Sequence, residues 1–236
     1  MLLRILAGVS LTAALFFAGC TTEKGMANLD NPAVPSKTGK SVYLMTVTLK
    51  NTFVTSYQPR LFSVKLSKKN ASGNPHVITF EPDPQSRSES NSVATGCSYL
   101  LRLELEPGTY TLVGLNCLGQ SMTINADFFV PIAAKLKTAT PGVFYLGHIE
   151  ATVRERKGDE FRAGGPGLPT QEQRLTGAWG GTFDVVITDG WTTDAAKYGT
   201  KFPSIAKMNV QKDLLPAFER GRIQAWWEKN AFNDVP

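Results

Sequence analysis

Between residues 41 and 190, apolar and polar positions alternate with a period of two, the signature of half-buried strands. Tyr43, Met45, Val47 and Leu49 share one face of a first run. Phe62, Val64 and Leu66 form a second, with Ser63, Lys65 and Ser67 turned the other way. Val77 to Phe80 is a short run ended by Pro82 and Pro84. Tyr99–Leu105 and Tyr110–Leu115 flank Glu106-Pro107-Gly108-Thr109 and predict a hairpin. Met122, Ile124, Ala126, Phe128 and Val130 alternate up to Pro131, and Phe183, Val185 and Ile187 supply a last strand. Between these two lies the longest strand candidate. Its first face carries Val143, Tyr145, Gly147, Ile149, Ala151 and Val153; the other starts with Phe144 and Leu146 and turns polar through His148, Glu150, Thr152 and Arg154. About eight strands with turn signals between them predict a mainly β fold, an antiparallel β-sandwich over 41–190.

Beyond residue 190 the pattern changes. Thr193-Asp194-Ala195-Ala196-Lys197-Tyr198 reads as a capped short helix that stops near Pro203. Leu214, Leu215, Phe218, Ile223, Trp226 and Trp227 are spaced as one side of another helix, which Gly221 weakens by about 1 kcal/mol. Residues 191–236 are therefore expected to form a short helical appendage packed on the sandwich. Residues 83–96 and 157–181 read as long loops. Residues 20–40, polar and carrying Pro32 and Pro35, read as a flexible tether.

The start of the chain follows other rules. One early cation, Arg4, an apolar run from Ile5 to Phe17 and the small pair Ala18-Gly19 make a secretory signal over 1–19. Ile5 to Gly19 is 15 residues, short of the roughly 20 that span a bilayer core. Phe17-Ala18-Gly19-Cys20 resembles the lipobox of bacterial lipoproteins, departing from it at Phe17, where Leu is usual. The resemblance implies that the Cys20 thiol receives a diacylglycerol and becomes the first mature residue. Its acyl chains would then hold the protein to a membrane, each buried methylene contributing about 0.8 kcal/mol. Thr21 in place of Asp after the cysteine implies the outer membrane of the envelope, on its periplasmic side. A further set of segments resembles transthyretin-like and carboxypeptidase-regulatory-like modules: Leu105-Glu106-Pro107-Gly108-Thr109-Tyr110-Thr111-Leu112, Phe128-Phe129-Val130 and Gly142-Val143-Phe144-Tyr145-Leu146-Gly147. That likeness implies an immunoglobulin-like sandwich and no particular activity.

Loss of residues 1–19 removes Arg4 and no acid, so the net charge falls from +5 to +4. No Lys/Arg block accompanies this charge, and with export it argues against a nucleic-acid partner. Cys97 and Cys117 would sit in a compartment that permits disulfides. A three-residue loop at Pro107-Gly108 puts them opposite each other; a two-residue loop pairs Leu103 with Leu112 and sends the thiols to opposite faces. A bulge reconciles the two, and the bridge remains a candidate.

Catalytic and metal signatures are sparse. His76 and His148 fall in separate strands with no metal ligand at a recognised spacing. No nucleophile elbow, phosphate loop or dinucleotide fingerprint occurs, so no cofactor is expected. Asp184, Asp189 and Asp194 suit turns and helix caps. Arg102, Glu104 and Glu106 share a strand face and read as a solvated charge ladder. At the tip 154–162, Arg154, Arg156 and Lys157 are candidate contacts for an acidic polymer or a phosphate headgroup. Trp226 and Trp227, flanked by Arg220, Arg222 and Lys229, either cover a sheet or touch headgroups or a partner. The expected function is that of a membrane-anchored envelope lipoprotein, not an enzyme, that binds a protein or glycan partner or serves a structural role. The alternatives are an envelope hydrolase with its site on loops 83–96 and 157–181, or an accessory or inhibitor of a secretion or envelope assembly.

Overall fold

A strand with period-two alternation has one apolar face, and a sheet of such strands must bury that face against another layer. The computed structural model describes residues 21–30, 39–69, 73–88, 92, 94–121, 124–138, 140–165 and 170–230. The signal segment and Cys20 lie outside them. The strands are β1 (Thr21–Gly25), β2 (Ser41–Asn51), β3 (Pro59–Lys69), β4 (Pro75–Glu81), β5 (Cys97–Leu105), β6 (Gly108–Ser121), β7 (Ile124–Thr138), β8 (Val143–Glu155), β9 (Gly181–Thr188) and β10 (Val210–Lys212). Three helices follow β8 in the chain: α1 (Gln171–Leu175), α2 (Trp191–Lys201) and α3 (Arg220–Asn230). The first sheet has the order β1-β4-β3-β6-β7; the second runs β10-β8-β2-β5, with β9 also paired to β8. The fold is a β-sandwich with a short C-terminal helical appendage, and β2 to β9 are the eight strands that the alternation predicts.

Both sheets are mixed. β1 runs parallel to β4, while β2 and β10 run parallel to β8. The core lies between the sheets, with Tyr43, Met45, Val47 and Leu49 of β2 facing Leu66, Phe80, Leu112 and Leu115 of the first sheet's strands. A second, smaller apolar cluster sits on the outer face of the second sheet, where Val42, Leu44, Leu100 and Tyr145 are covered by Tyr198, Phe202 and Ile205.

Three expectations are corrected. The Pro107-Gly108 turn does not close a hairpin: β5 pairs with β2, and β6 pairs with β3 and β7. The turn instead carries the chain from one sheet to the other, and Tyr110 Oη donates to the Glu106 carbonyl at 2.9 Å to hold the corner. Both strands are buried along the core, so each finds its partners in a different layer. The tether is also ordered where the structure describes it. β1 starts at Thr21, and Ala27 and Leu29 are buried; residues 31–38 lie outside the described residues. Arg102, finally, is no member of a solvated ladder, because its side chain is 2% exposed.

The burial of Arg102 follows from how this side of the sandwich is closed. After β1 the chain crosses to the β5 edge, where Ala27 N donates to the Arg102 carbonyl and Arg102 Nε donates back to the Ala27 carbonyl, at 2.8 and 2.9 Å. Arg102 Nη2 pairs with Asp83, and the guanidinium stacks 4.1 Å from the Phe202 ring centroid. Burial lowers the Arg102 pKa and Asp83 opposes that shift; the group stays a cation. Arg102→Ala should therefore lower unfolding free energy by about 3 kcal/mol. Asp83→Asn should cost only about 1 kcal/mol, because the carboxylate is 36% exposed. Urea denaturation of the two variants checks this ranking.

Candidate functional site: a polar cluster beneath helix α2

Chemistry-bearing side chains converge where α2 crosses the outer face of the second sheet. Gly147 makes this possible. It lies in β8 at φ +113°, and the β2–β8 register slips there, from Leu44 opposite Tyr145 to Thr46 opposite His148. A glycine bulge of this kind reverses strand parity. Tyr145 and His148 therefore project on the same outer side, whereas unbroken alternation assigns them to opposite faces.

Asp194, in the first turn of α2, has no accessible surface. Its Oδ2 accepts a hydrogen bond from Tyr145 Oη at 2.5 Å and lies 3.4 Å from His148 Nδ1. His148 Nε2 is 2.9 Å from Thr48 Oγ1, which is in turn 3.3 Å from Ser98 Oγ. With its Nδ1–H directed at the carboxylate, a neutral His148 accepts from the Thr48 hydroxyl at Nε2. As an imidazolium it donates to Thr48, and Thr48 donates on to Ser98. Burial works against ionisation of Asp194, but hydrogen bonding from His148 and Tyr145 outweighs it and holds the carboxyl below its ordinary pKa. Burial and the neighbouring Asp194 push the Tyr145 phenol upward, so it remains a neutral donor.

Within hydrogen-bond limits, Thr46 Oγ1 and Asp194 Oδ1 are the buried side-chain oxygens without a partner among the described residues. The backbone closes tightly over the cluster at Gly190. A Cβ there would lie 3.0 Å from His148 Cβ and 3.1 Å from Asp194 Oδ2.

Two hollows adjoin α2. One, of about 400 Å³, is bounded by residues 26–30, Asp83–Gln85, Arg102 and Phe202. The other, of about 340 Å³, lies along the helix between Ser88 and Lys197, Thr200 and Lys201. Neither is lined by His148 or Thr48. Among the described residues no group of three His, Cys, Asp or Glu is placed to hold a metal ion.

The sequence-predicted positions fall elsewhere. Arg154 is held by both Glu160 oxygens, at 2.7 and 2.6 Å, and by Asp184 at 2.8 Å. The Arg154 hydrogen bonds draw the Glu160 carboxyl down to about 2. Arg156 donates to the Glu160 carbonyl, which leaves Lys157 as the exposed cation of the candidate trio. Trp226 and Trp227 are 7% and 3% exposed, and Trp227 stacks on Phe129 of the first sheet at 4.6 Å. Of the two alternatives, their burial fits the cover and not the contact: Trp227 lies against the outer face of β7. Cys97 and Cys117 are free and buried on opposite sheets, so the candidate bridge is absent here. Cys97 Sγ instead donates to Tyr99 Oη at 3.2 Å, and burial pushes the Cys117 thiol upward.

Asp189 does serve a turn, accepting from Trp191 N at 3.3 Å. Asp184 joins the Arg154 and Arg220 ion pairs, and Asp194 is a buried anchor, not a cap. Gly147 inside a strand pattern is the sequence signal for the clustering of Tyr145 with His148; the meeting with Asp194, 46 residues on, has no local signal.

No protein-family model, curated protein or solved structure matches this chain.

Because the carboxyl of Asp194 ionises more readily folded than unfolded, its stabilising effect is complete above the unfolded value near about 3.9 and fades as pH falls through the folded one. Asp194→Asn should cost about 2 kcal/mol at neutral pH, and the gap to wild type should narrow below about pH 4. Denaturation midpoints across that range measure it.

Proposed function

We propose that this chain is a lipid-anchored lipoprotein of the bacterial cell envelope, held to the outer membrane on its periplasmic side, with a non-catalytic binding or structural role. The observation that carries the reading is the sequence Phe17-Ala18-Gly19-Cys20 behind a short apolar stretch. The fold agrees with it. Thr21 is already in β1, and residues 21–30 stitch the two sheets together, so the segment next to Cys20 is a firm point of attachment. A β-sandwich anchored in this way would present protein or glycan partners with loops at the end away from β1. Cells grown with a labelled fatty acid should carry label on the wild-type protein, and Cys20→Ser should abolish both the label and recovery in the membrane fraction. An unlabelled wild-type protein recovered from the cell interior would overturn the reading.

A hydrolase is the second reading, and one arrangement favours it: Asp194, His148 and Thr48 stand in the order carboxylate, imidazole, hydroxyl. Such an order can activate an oxygen nucleophile. Thr48, however, lies mid-strand on a sheet face, its backbone is committed to both neighbouring strands, and neither hollow opens on it. The two readings part on His148→Gln. The structural reading expects unchanged turnover of envelope polymers and ester substrates and a stability loss of about 1 kcal/mol. A hydrolase would show turnover in wild type that falls by about a hundredfold or more in the variant.

A further inference from the structure

We propose that the end of the first sheet where β1 begins, across its full width to β7, is a docking surface for anionic phospholipid headgroups, with Lys69, Lys135 and Lys137 as its contacts. The inference rests on the anchored reading above and adds the orientation of the body on the membrane.

Register fixes which side chains share this end. Thr21 is opposite Val77, Val77 opposite Ser67, Ser67 opposite Thr111, and Thr111 opposite Lys135, a single row across all five strands. At about 4.8 Å per strand the row is roughly 19 Å long. Lys137 is two residues further along β7 and points the same way, as Lys69 does on β3 relative to Ser67. Leu136 and Thr138, between and beyond the β7 lysines, are buried toward the core, which confirms the outward side. All three lysines are exposed.

The other positions in the row, Thr21, Val77, Ser67 and Thr111, are small, with Ser67 buried and Thr21 exposed, so the lysines project beyond them. Acids nearby are Glu23 on the same face and Glu106 on the adjoining turn. Glu104 is already paired with Lys40 at 2.9 Å. Lys68 at the rim adds a cation, lying over the Tyr110 ring at 5.1 Å. Helix α3 covers β7 further along, at Phe129 and Ala133, and leaves Lys135 and Lys137 exposed.

The position of this end singles out the membrane as its occupant. Adjacent Cα atoms are 3.8 Å apart, and Thr21 is fixed in the sheet at the same end, so a lipid on Cys20 enters the bilayer at the end of the sheet that carries these lysines, with Lys135 about 19 Å across the row. One acyl signal plus a basic patch is a recurrent combination for stable membrane contact. The opposite end of the sandwich has its cations Arg154 and Arg220 bound to Glu160 and Asp184. Lys157 stays exposed at that end.

The test uses the acylated full protein in phosphatidylcholine vesicles with and without phosphatidylglycerol. Flotation first reports the anchor, and amine acetylation followed by mass analysis then reports the face. Lys69, Lys135 and Lys137 should each be acetylated about fivefold more slowly on the anionic vesicles; Lys157 and Lys207 should react alike on both. Added salt should erase the difference. A protein that does not float overturns the anchor and the docking face with it. Flotation with all five lysines reacting alike on the two vesicles overturns the face alone, as does protection centred on Lys157.

Discussion

A guanidinium with no water around it has to be surrounded by acceptors, and Arg102 imposes that condition on one whole side of the sandwich. Its partners come from three separated stretches of chain: the Ala27 carbonyl just after β1, the Asp83 carboxylate after β4, and the Phe202 ring at the end of α2. None of these stretches is held by strand pairing at the point of contact. A buried ion pair gives little net stability against an apolar replacement, but losing one partner of it is expensive. Arg102 therefore acts as a specificity device: compact alternatives in which the N-terminal segment, the 83–87 segment or α2 sits elsewhere leave the cation unpaired. Leu29 and Ser204 extend the same closure, since the Ser204 hydroxyl donates to the Leu29 carbonyl.

The other side is closed by different means. There α3 spans from β9 to β7, with Arg220 donating to the Phe183 carbonyl and to Asp184, and Arg222 donating to the Ala133 carbonyl. Ala133 has φ +52°, in the left-handed region that costs an L-residue about 1–2 kcal/mol. It sits where the β6–β7 register slips, so its carbonyl is freed from the ladder, and Arg222 satisfies it. The stacked Phe129 and Trp227 rings then seal the same patch, over Gly114, where a Cβ would collide with the Phe129 ring at 2.6 Å. Polar closure on one side and aromatic closure on the other make both termini of the described chain part of the sandwich.

The sequence makes strands legible and leaves their partnerships dark. Alternation locates β2 through β9 because facing a core imposes period two on every strand separately. It cannot say which strand lies beside which, and so Pro107-Gly108 looks like a hairpin although the turn links two sheets. Tyr110, whose hydroxyl fixes that turn, is the one local hint. β1 and β10 escape because they are edge strands of 5 and 3 residues with little alternation to display. Arg102 misleads because its polarity predicts water; only the arrival of Ala27, Asp83 and Phe202, from distant points of the chain, makes its burial tolerable. His148 reads as an ordinary strand histidine until Gly147 reverses the parity of β8 and α2 brings in Asp194.

That last meeting has a structural logic sufficient to itself. Helix α2 has no side-chain N-cap, since Gly190 occupies the position, and the apolar cluster beneath it is small. A short amphipathic helix of this kind gains most of its stability from tertiary contacts. Asp194 at its first turn is favoured by the helix dipole, and Tyr145 and His148 hold the carboxylate from the sheet. Tyr198, one turn on, donates to the Leu101 carbonyl at 2.9 Å, and Lys201 reaches the Gln85 and Arg87 carbonyls. The polar clasp thus runs the length of the helix, and its far end delivers Phe202 to the Arg102 guanidinium. Clasp and closure are one connected network: α2 must be seated through Asp194 for Phe202 to cover the cation that fixes the segment beside Cys20.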